Sequence, residues 1–111
     1  MLSFQEFADL LKIAQQHSRF ETFQLAAAKH IDYSARTGER TAQLIWAMKY
    51  ANLNIKSIRG ISQLSQAEFA ERYGLSRRSI ENWEGGQRRP PEYLVSLLAY
   101  SVYSDTVSEY E

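Results

Sequence analysis

The chain has 111 residues, 13 basic and 13 acidic side chains, no cysteine and 44% hydrophobic residues, which is typical of an ordinary soluble domain. The lack of cysteine excludes a disulfide framework, a thiolate metal site and a cysteine nucleophile, and it favours a reducing compartment such as the cytoplasm. No stretch approaches the roughly 20 apolar residues that cross a bilayer, and the first residues lack the basic start of a signal peptide, so neither feature is expected.

The zero net charge argues at first against a nucleic-acid binder, because phosphate contacts usually require a basic excess. The charges are nevertheless uneven. Residues 1–51 carry six basic and five acidic side chains, residues 52–103 carry seven and five, and residues 104–111 carry none and three. Neutrality therefore does not exclude DNA, but it predicts weak non-specific binding and a larger dependence on base contacts and dimer geometry.

Residues 1–53 are predicted to form an N-terminal extension of two or three helices, since strand-type alternation is almost absent from the chain. Ser3–Glu6 and Ser18–Glu21 both match the capping-box pattern, so a helix is expected after each serine. The first helix should run to about His17. Gly38 is expected to end the second helix, and a third is expected over residues 41–53.

The N-terminal helices contain no pattern that indicates chemistry. Their aromatic and aliphatic residues, Leu25 and Ile45 among them, are expected to face inward as a helical core. The alternative interpretation is a surface for a second copy or another protein. His17 and His30 lie 13 positions apart with no third ligand at metal spacing, so no metal or other cofactor is expected.

From residue 54 onward the pattern changes to short helices with strong start and stop signals. A first, very short helix is expected around Ile55 and Ile58, with Gly60 and Gln63 inside it or just after it. Ser65–Glu68 is a third capping box, and its helix should reach Tyr73 before Gly74. Ser76 is placed to cap a helix over residues 77–84. After Pro90 and Pro91 a last helix is expected to about Tyr103, followed by an acidic tail over residues 104–111.

The segment from residue 52 to 103 resembles the helix-turn-helix of the XRE, or lambda-repressor/Cro-like, family of bacterial and phage regulators. The resemblance rests on four stretches in their proper order: Ile55-Lys-Ser-Ile58, Leu64-Ser-Gln-Ala-Glu-Phe-Ala70, Gly74-Leu-Ser-Arg-Arg-Ser-Ile80 and Trp83-Glu-Gly-Gly-Gln-Arg-Arg-Pro90. It implies an all-α chain with a DNA-binding domain at residues 54–103, whose second motif helix lies in the major groove of double-stranded DNA.

Carried over by position, the resemblance also implies a set of DNA contacts. The residues implied to face base edges are Arg77, Arg78, Ser79 and Asn82. Those implied to contact phosphates are Lys56, Gln66, Ser76, Gln87, Arg88 and Arg89. Because an arginine fork can donate two hydrogen bonds to guanine, half-sites that contain G are expected. Trp83 is assigned to the core against Leu94 and Leu97, and Glu81 to an orienting or surface role.

The leading interpretation is a dimeric, sequence-specific transcriptional repressor. One variant is an antitoxin-type autorepressor whose residues 1–53 bind a toxin. A competing class is a protein-interaction module, but such a surface should expose apolar anchors rather than the polar face of residues 77–82. An enzyme is not expected, because Glu68 and Glu71 form no catalytic pair and no nucleophile has a base or oxyanion hole beside it.

Overall fold

A computed structural model describes residues 2–28 and 37–110, and these residues form seven helices and no strand. The all-α prediction is therefore confirmed. The chain divides into two compact units, Met1–Asn52 and Leu53–Glu111.

The first unit contains α1 (Phe4–Gln15), α2 (Phe20–Ala27) and α3 (Thr37–Tyr50). The predicted capping box opens α1: Ser3 Oγ accepts from the Glu6 amide at 3.2 Å, and Glu6 Oε1 accepts from the Ser3 amide at 3.1 Å. α1 packs against both other helices. Their shared core consists of fully buried aromatic and aliphatic side chains, including Phe7, Leu10, Phe23, Leu44 and Tyr50.

The capping box predicted at Ser18 is wrong. α2 takes Arg19 as its N-cap residue, and Arg19 makes no side-chain capping bond. Ser18 stands one position too early for its hydroxyl to meet the free amides of the first turn. The Glu21 carboxylate lies 3.7 Å from Arg19 Nε, and Thr22 Oγ1 donates to the Arg19 carbonyl at 3.0 Å.

The predicted role of Gly38 is also wrong, because Gly38 is the second residue of α3 and not the end of α2. α2 already ends at Ala27, and His30 lies outside the described residues. α3 begins and ends a few residues earlier than predicted, so its last turn closes at Tyr50.

Two apolar side chains assigned to the core are instead exposed, Leu25 at 73% and Ile45 at 54%. The reason is the helical rotation of about 100° per residue. α2 turns Phe23 and Ala27 inward, which leaves Leu25 on the opposite side. α3 buries Leu44 and Ala47, so Ile45 lies outside the buried face of that helix. Composition alone did not show which side of each helix would be covered.

The second unit contains α4 (Ile55–Ser62), α5 (Gln66–Tyr73), α6 (Arg77–Glu84) and α7 (Glu92–Tyr110). The Asn54 side chain caps α4 by accepting from the Ser57 amide at 2.9 Å. Gln63, the C-cap residue that follows α4, has a left-handed φ of 62°. The third capping box is confirmed, with Ser65 Oγ accepting from the Glu68 amide at 3.1 Å and the Glu68 carboxylate accepting from the Ser65 amide.

A tight turn joins α5 to α6, as predicted. Gly74 adopts φ 68°, a conformation that suits glycine because a Cβ is disfavoured there. The Leu75 amide returns to the Ala70 carbonyl at 2.9 Å and closes the end of α5. Phe69 on α5 and Ile80 on α6 are fully buried. These bonds and this burial hold the two helices as a helix-turn-helix pair.

α7 begins after Pro91, whose carbonyl accepts from the amides of Leu94 and Val95. The helix continues to Tyr110, so the predicted end near Tyr103 is wrong. No glycine or proline follows residue 91, and α7 packs along α4 with Val102 and Tyr103 buried. Leu97, which was predicted to face inward, is 41% exposed.

Asp105, in the C-terminal half of α7, joins this helix to α5. The Tyr73 hydroxyl donates to Asp105 Oδ2 at 2.8 Å, and Arg72 Nε lies 3.2 Å from the same oxygen. Burial, followed by the interaction with Asp105, raises the pKa of Tyr73 to about 12 from its usual 10.0. The folded state therefore favours the neutral phenol.

This shift predicts an alkaline loss of stability that depends on Tyr73. The unfolded chain releases the phenol proton near pH 10.0 and the folded chain near about 12, so the free energy of unfolding falls as pH rises through that interval. In Tyr73→Phe the fall should be shallower. Urea titrations at several pH values between about 9 and 12 measure it. The exposed Tyr93→Phe is the control and should behave as the wild type; equal slopes in all three proteins would contradict the prediction.

Candidate nucleic-acid interface

α6 presents a polar outer face and an apolar inner one. Ile80 is fully buried and Trp83 is half-buried, which fixes the inner side. Arg77, Arg78 and Glu81 are exposed. Ser79 and Asn82, the other two residues with implied base contacts, are half-buried. The arginines that the sequence singled out are therefore accessible on the first turn of α6.

The first turn of α6 carries two cations where a helix usually favours acids. Aligned peptide dipoles leave partial positive charge at a helix N-terminus, so Arg77 and Arg78 there cost some helix stability. No acidic residue lies in that turn to offset them. Helix stability therefore does not explain the pair. The resulting positive field suits a polyanion.

Two serines fix the start of α6. Ser76 Oγ accepts from the Ser79 amide at 3.0 Å, which is an N-cap bond, and it lies 2.8 Å from Ser79 Oγ. The predicted cap is confirmed. Because both hydroxyls take part in this local arrangement, they hold the backbone from which Arg77 and Arg78 project.

A largely buried ion pair holds the end of α6 against α4, and no local sequence pattern predicts it. Arg59 Nε lies 2.7 Å from Glu84 Oε2 and Arg59 Nη2 lies 2.9 Å from Glu84 Oε1, a two-point contact. Arg59 Nη1 also donates to the Leu64 carbonyl at 3.0 Å. The side chains of Arg59 and Glu84 are only 20% and 6% exposed. The pair therefore fixes α6 from beneath.

Gln66 joins this pair. Its Nε2 lies 3.3 Å from Glu84 Oε1, so the first residue of α5 supports the last residue of α6. Hydrogen bonds from Arg59, and then from Gln66, lower the pKa of Glu84 although burial acts in the opposite direction. The sequence signal for this arrangement was a charged residue, Arg59, directly after the apolar Ile58 in the predicted α4 segment.

The loop after α6 folds back on the helix end. The Asn82 carbonyl accepts from the Gln87 amide at 2.9 Å and from the Arg88 amide at 3.3 Å. Gly86 has φ 82°, which again suits glycine. Gln87, Arg88 and Arg89 are exposed as a result. Lys56 on α4, another residue with an implied phosphate contact, is also exposed.

No cluster of three or more potential metal-ligating side chains occurs within residues 2–28 and 37–110. Across those same ranges, no helix has both the length and the apolar character needed to span a bilayer.

Residues 55–99 match a protein-family model described as helix-turn-helix. The matched segment runs from the start of α4 into α7 and includes the whole of α5, the Gly74 turn and α6. Comparison with curated proteins and with solved structures returns no match. The first unit lies outside the matched segment.

Proposed function

We propose that this chain, whose residues 55–99 match a helix-turn-helix family model, is a sequence-specific repressor of the XRE type that reads the major groove with α6. The observation that carries the proposal is the pair of exposed arginines, Arg77 and Arg78, at the positive end of α6. An interaction module is not favoured, because the outer face of this helix is charged and polar.

Base reading is assigned to Arg77, Arg78, Ser79 and Asn82. A guanidinium can donate two hydrogen bonds to O6 and N7 of guanine, and an Asn amide can pair similarly with adenine. The side chains of Arg77 and Arg78 are exposed and long enough for such contacts. Asn82 is half-buried and lies near the C-terminal end of α6. Half-sites containing G follow from this assignment.

Phosphate contacts are assigned to Lys56, Gln66, Ser76, Gln87, Arg88 and Arg89. Such contacts set the register of a protein on DNA without reading its sequence. The Arg88 amide donates to the Asn82 carbonyl, which holds the backbone at Arg88, next to Arg89, beside the end of α6. Gln66 supports this geometry through Glu84.

The repressor is proposed to act as a homodimer. A domain that reaches about three or four phosphates gains affinity when a second copy doubles that number. The small basic excess of residues 52–103 makes this doubling more important, because non-specific attraction to DNA is weak.

The proposal predicts a selected DNA site that contains G and a steep salt dependence. We expect sites selected from random duplexes to show paired half-sites, and log K against log salt to have a slope of about −5 to −7, against about half that for a monomer. Fluorescence anisotropy from about 50 to 200 mM salt measures the slope. A scrambled duplex of equal length is the control. Absence of binding to any duplex at low salt would refute the proposed function.

A second candidate function is an antitoxin-type autorepressor in which the Met1–Asn52 unit also binds a toxin. Leu25 on α2 and Ile45 on α3 are exposed apolar side chains of that unit, and a protein partner that covered both would account for their exposure. The double substitution Leu25→Ser and Ile45→Ser separates the possibilities. A lower mass by light scattering would assign these residues to the dimer interface, whereas an unchanged mass with loss of a co-expressed toxin would support the antitoxin function.

A further inference from the structure

An ion pair lies on the DNA-facing side proposed for α6. Arg77 Nε is 3.1 Å from Glu81 Oε1, one helical turn further along. Both side chains are substantially exposed, at 64% and 49%. The contact joins the first residue of α6 to the one acidic residue on the outer face of residues 77–82.

Helix stability does not account for this pair. A cation at the N-terminus followed by an acid four residues later is the less favourable order with respect to the helix dipole. An exposed pair of this kind also contributes little, because water screens it and two long side chains must be held in place. Substitution by neutral residues would therefore cost the fold little.

Affinity for DNA does not account for Glu81 either. An exposed carboxylate among Arg77 and Arg78 lowers the positive potential of α6 and repels phosphates. A regulator selected only for tight binding would gain from a neutral residue at this position. Specificity is a difference of affinities between sites. The repulsion between Glu81 and DNA therefore increases specificity if it weakens binding to incorrect sites more than binding to the correct one.

We propose that Glu81 is a specificity-determining positioning residue, which holds the Arg77 guanidinium through Nε so that its two Nη atoms are presented to O6 and N7 of guanine. This inference rests on the proposed function. At a site with guanine, Arg77 makes its two-point contact while remaining paired. At a site without guanine, Arg77 gains no such contact and the Glu81 charge still opposes binding.

The test compares Glu81→Gln with Glu71→Gln. Both remove one negative charge, but Glu71 is an exposed residue of α5 outside the proposed contact set. Affinities are measured for the selected site, for the same site with the Arg77 G·C pair replaced by A·T, and for a random duplex. In Glu81→Gln we expect the preference for G·C to fall roughly fivefold or more and random-duplex binding to tighten. Glu71→Gln should retain the full preference.

A second readout does not require DNA. The Nε–Hε signal of Arg77 in nitrogen-edited NMR reports the pairing directly, and its exchange with water should be slower in the wild type than in Glu81→Gln. Glu71→Gln should leave it unchanged. Equal exchange in the wild type and Glu81→Gln would overturn the inference while leaving the proposed function intact.

The remaining outcomes are equally decisive. If the two variants have the same base preference, Glu81 acts only as a charge and the inference is wrong. If Glu81→Gln changes the preference at a different base pair, and Arg77→Ala does not affect that pair, Glu81 reads cytosine N4 directly and the inference is again wrong. If the wild type binds every duplex equally or binds none, the proposed function fails and the inference fails with it.

Discussion

Arg59→Met is expected to lower the free energy of unfolding of the Leu53–Glu111 unit by about 2 to 3 kcal/mol at neutral pH. The substitution leaves the Glu84 carboxylate, only 6% exposed, without its two-point partner. The value lies below the roughly 3 to 5 kcal/mol of fully buried pairs because Arg59 retains some solvent contact and Gln66 still donates to Glu84. Native-state hydrogen exchange of the Ile58 and Ile80 amides measures the change in this unit alone.

The double variant Arg59→Met with Glu84→Leu is the matched control. It removes both charges, so neither is left buried and unpaired, and we expect it to recover most of the lost stability. If the double variant is destabilised by the sum of the effects of Arg59→Met and Glu84→Leu measured singly, the ion pair makes no coupled contribution and the interpretation is wrong.

The pair of Arg59 and Glu84 also predicts that the free energy of unfolding decreases at acidic pH. The pKa of Glu84 is lowered in the folded state, so the unfolded chain binds its proton first as pH falls. The contribution is present above the usual glutamate pKa of 4.5 and is lost as pH falls through the lower folded pKa. Glu84→Gln should therefore be less stable at neutral pH but show a shallower acid dependence.

Arg77→Ala and Arg88→Ala are expected to weaken DNA binding in different ways. Arg77→Ala should lose about 1 to 3 kcal/mol of discrimination at one base pair, because it removes a two-point base contact. Arg88→Ala should weaken all sequences alike and reduce the magnitude of the salt slope by about 1 per subunit, because it removes a phosphate contact. Binding of the selected site, its single-pair variants and a random duplex separates the two results.

Lys12→Ala is the matched control for these variants, since it removes one positive charge from an exposed position on α1. It should change affinity little and leave base preference intact. If Arg77→Ala instead weakens every duplex equally, Arg77 contacts phosphate and the proposed register of α6 in the groove is wrong.

Features that depend on a few neighbouring residues followed from the sequence. The caps at Ser3, Ser65 and Ser76 are present, and α6 has the predicted bounds. Each of these is a bond between a side chain and a backbone amide within one turn, so residue type and spacing are sufficient to specify it. The Gly74 turn is likewise determined by one backbone conformation.

The incorrect cap prediction at Ser18 shows that residue type and spacing do not always specify a cap. The pattern there was as good as at Ser3, but α2 begins one residue later. With Phe20 as the first residue of α2, Phe23 is fully buried in the core and Ser18 stands outside the capping position. A match in residue types therefore does not fix the residue at which a helix begins, and that residue decides whether the serine can cap it.

The sequence by itself determined that residues 54 onward form a helix-turn-helix pair and which arginines begin its second helix. The tertiary structure decided which helix faces are covered, so that Leu25 and Ile45 are exposed, and how α6 is supported. Arg59 and Glu84 are 25 positions apart and Gln66 is 18 from Glu84. Contacts at such separation depend on how helices pack, and no local pattern of residues specifies that packing.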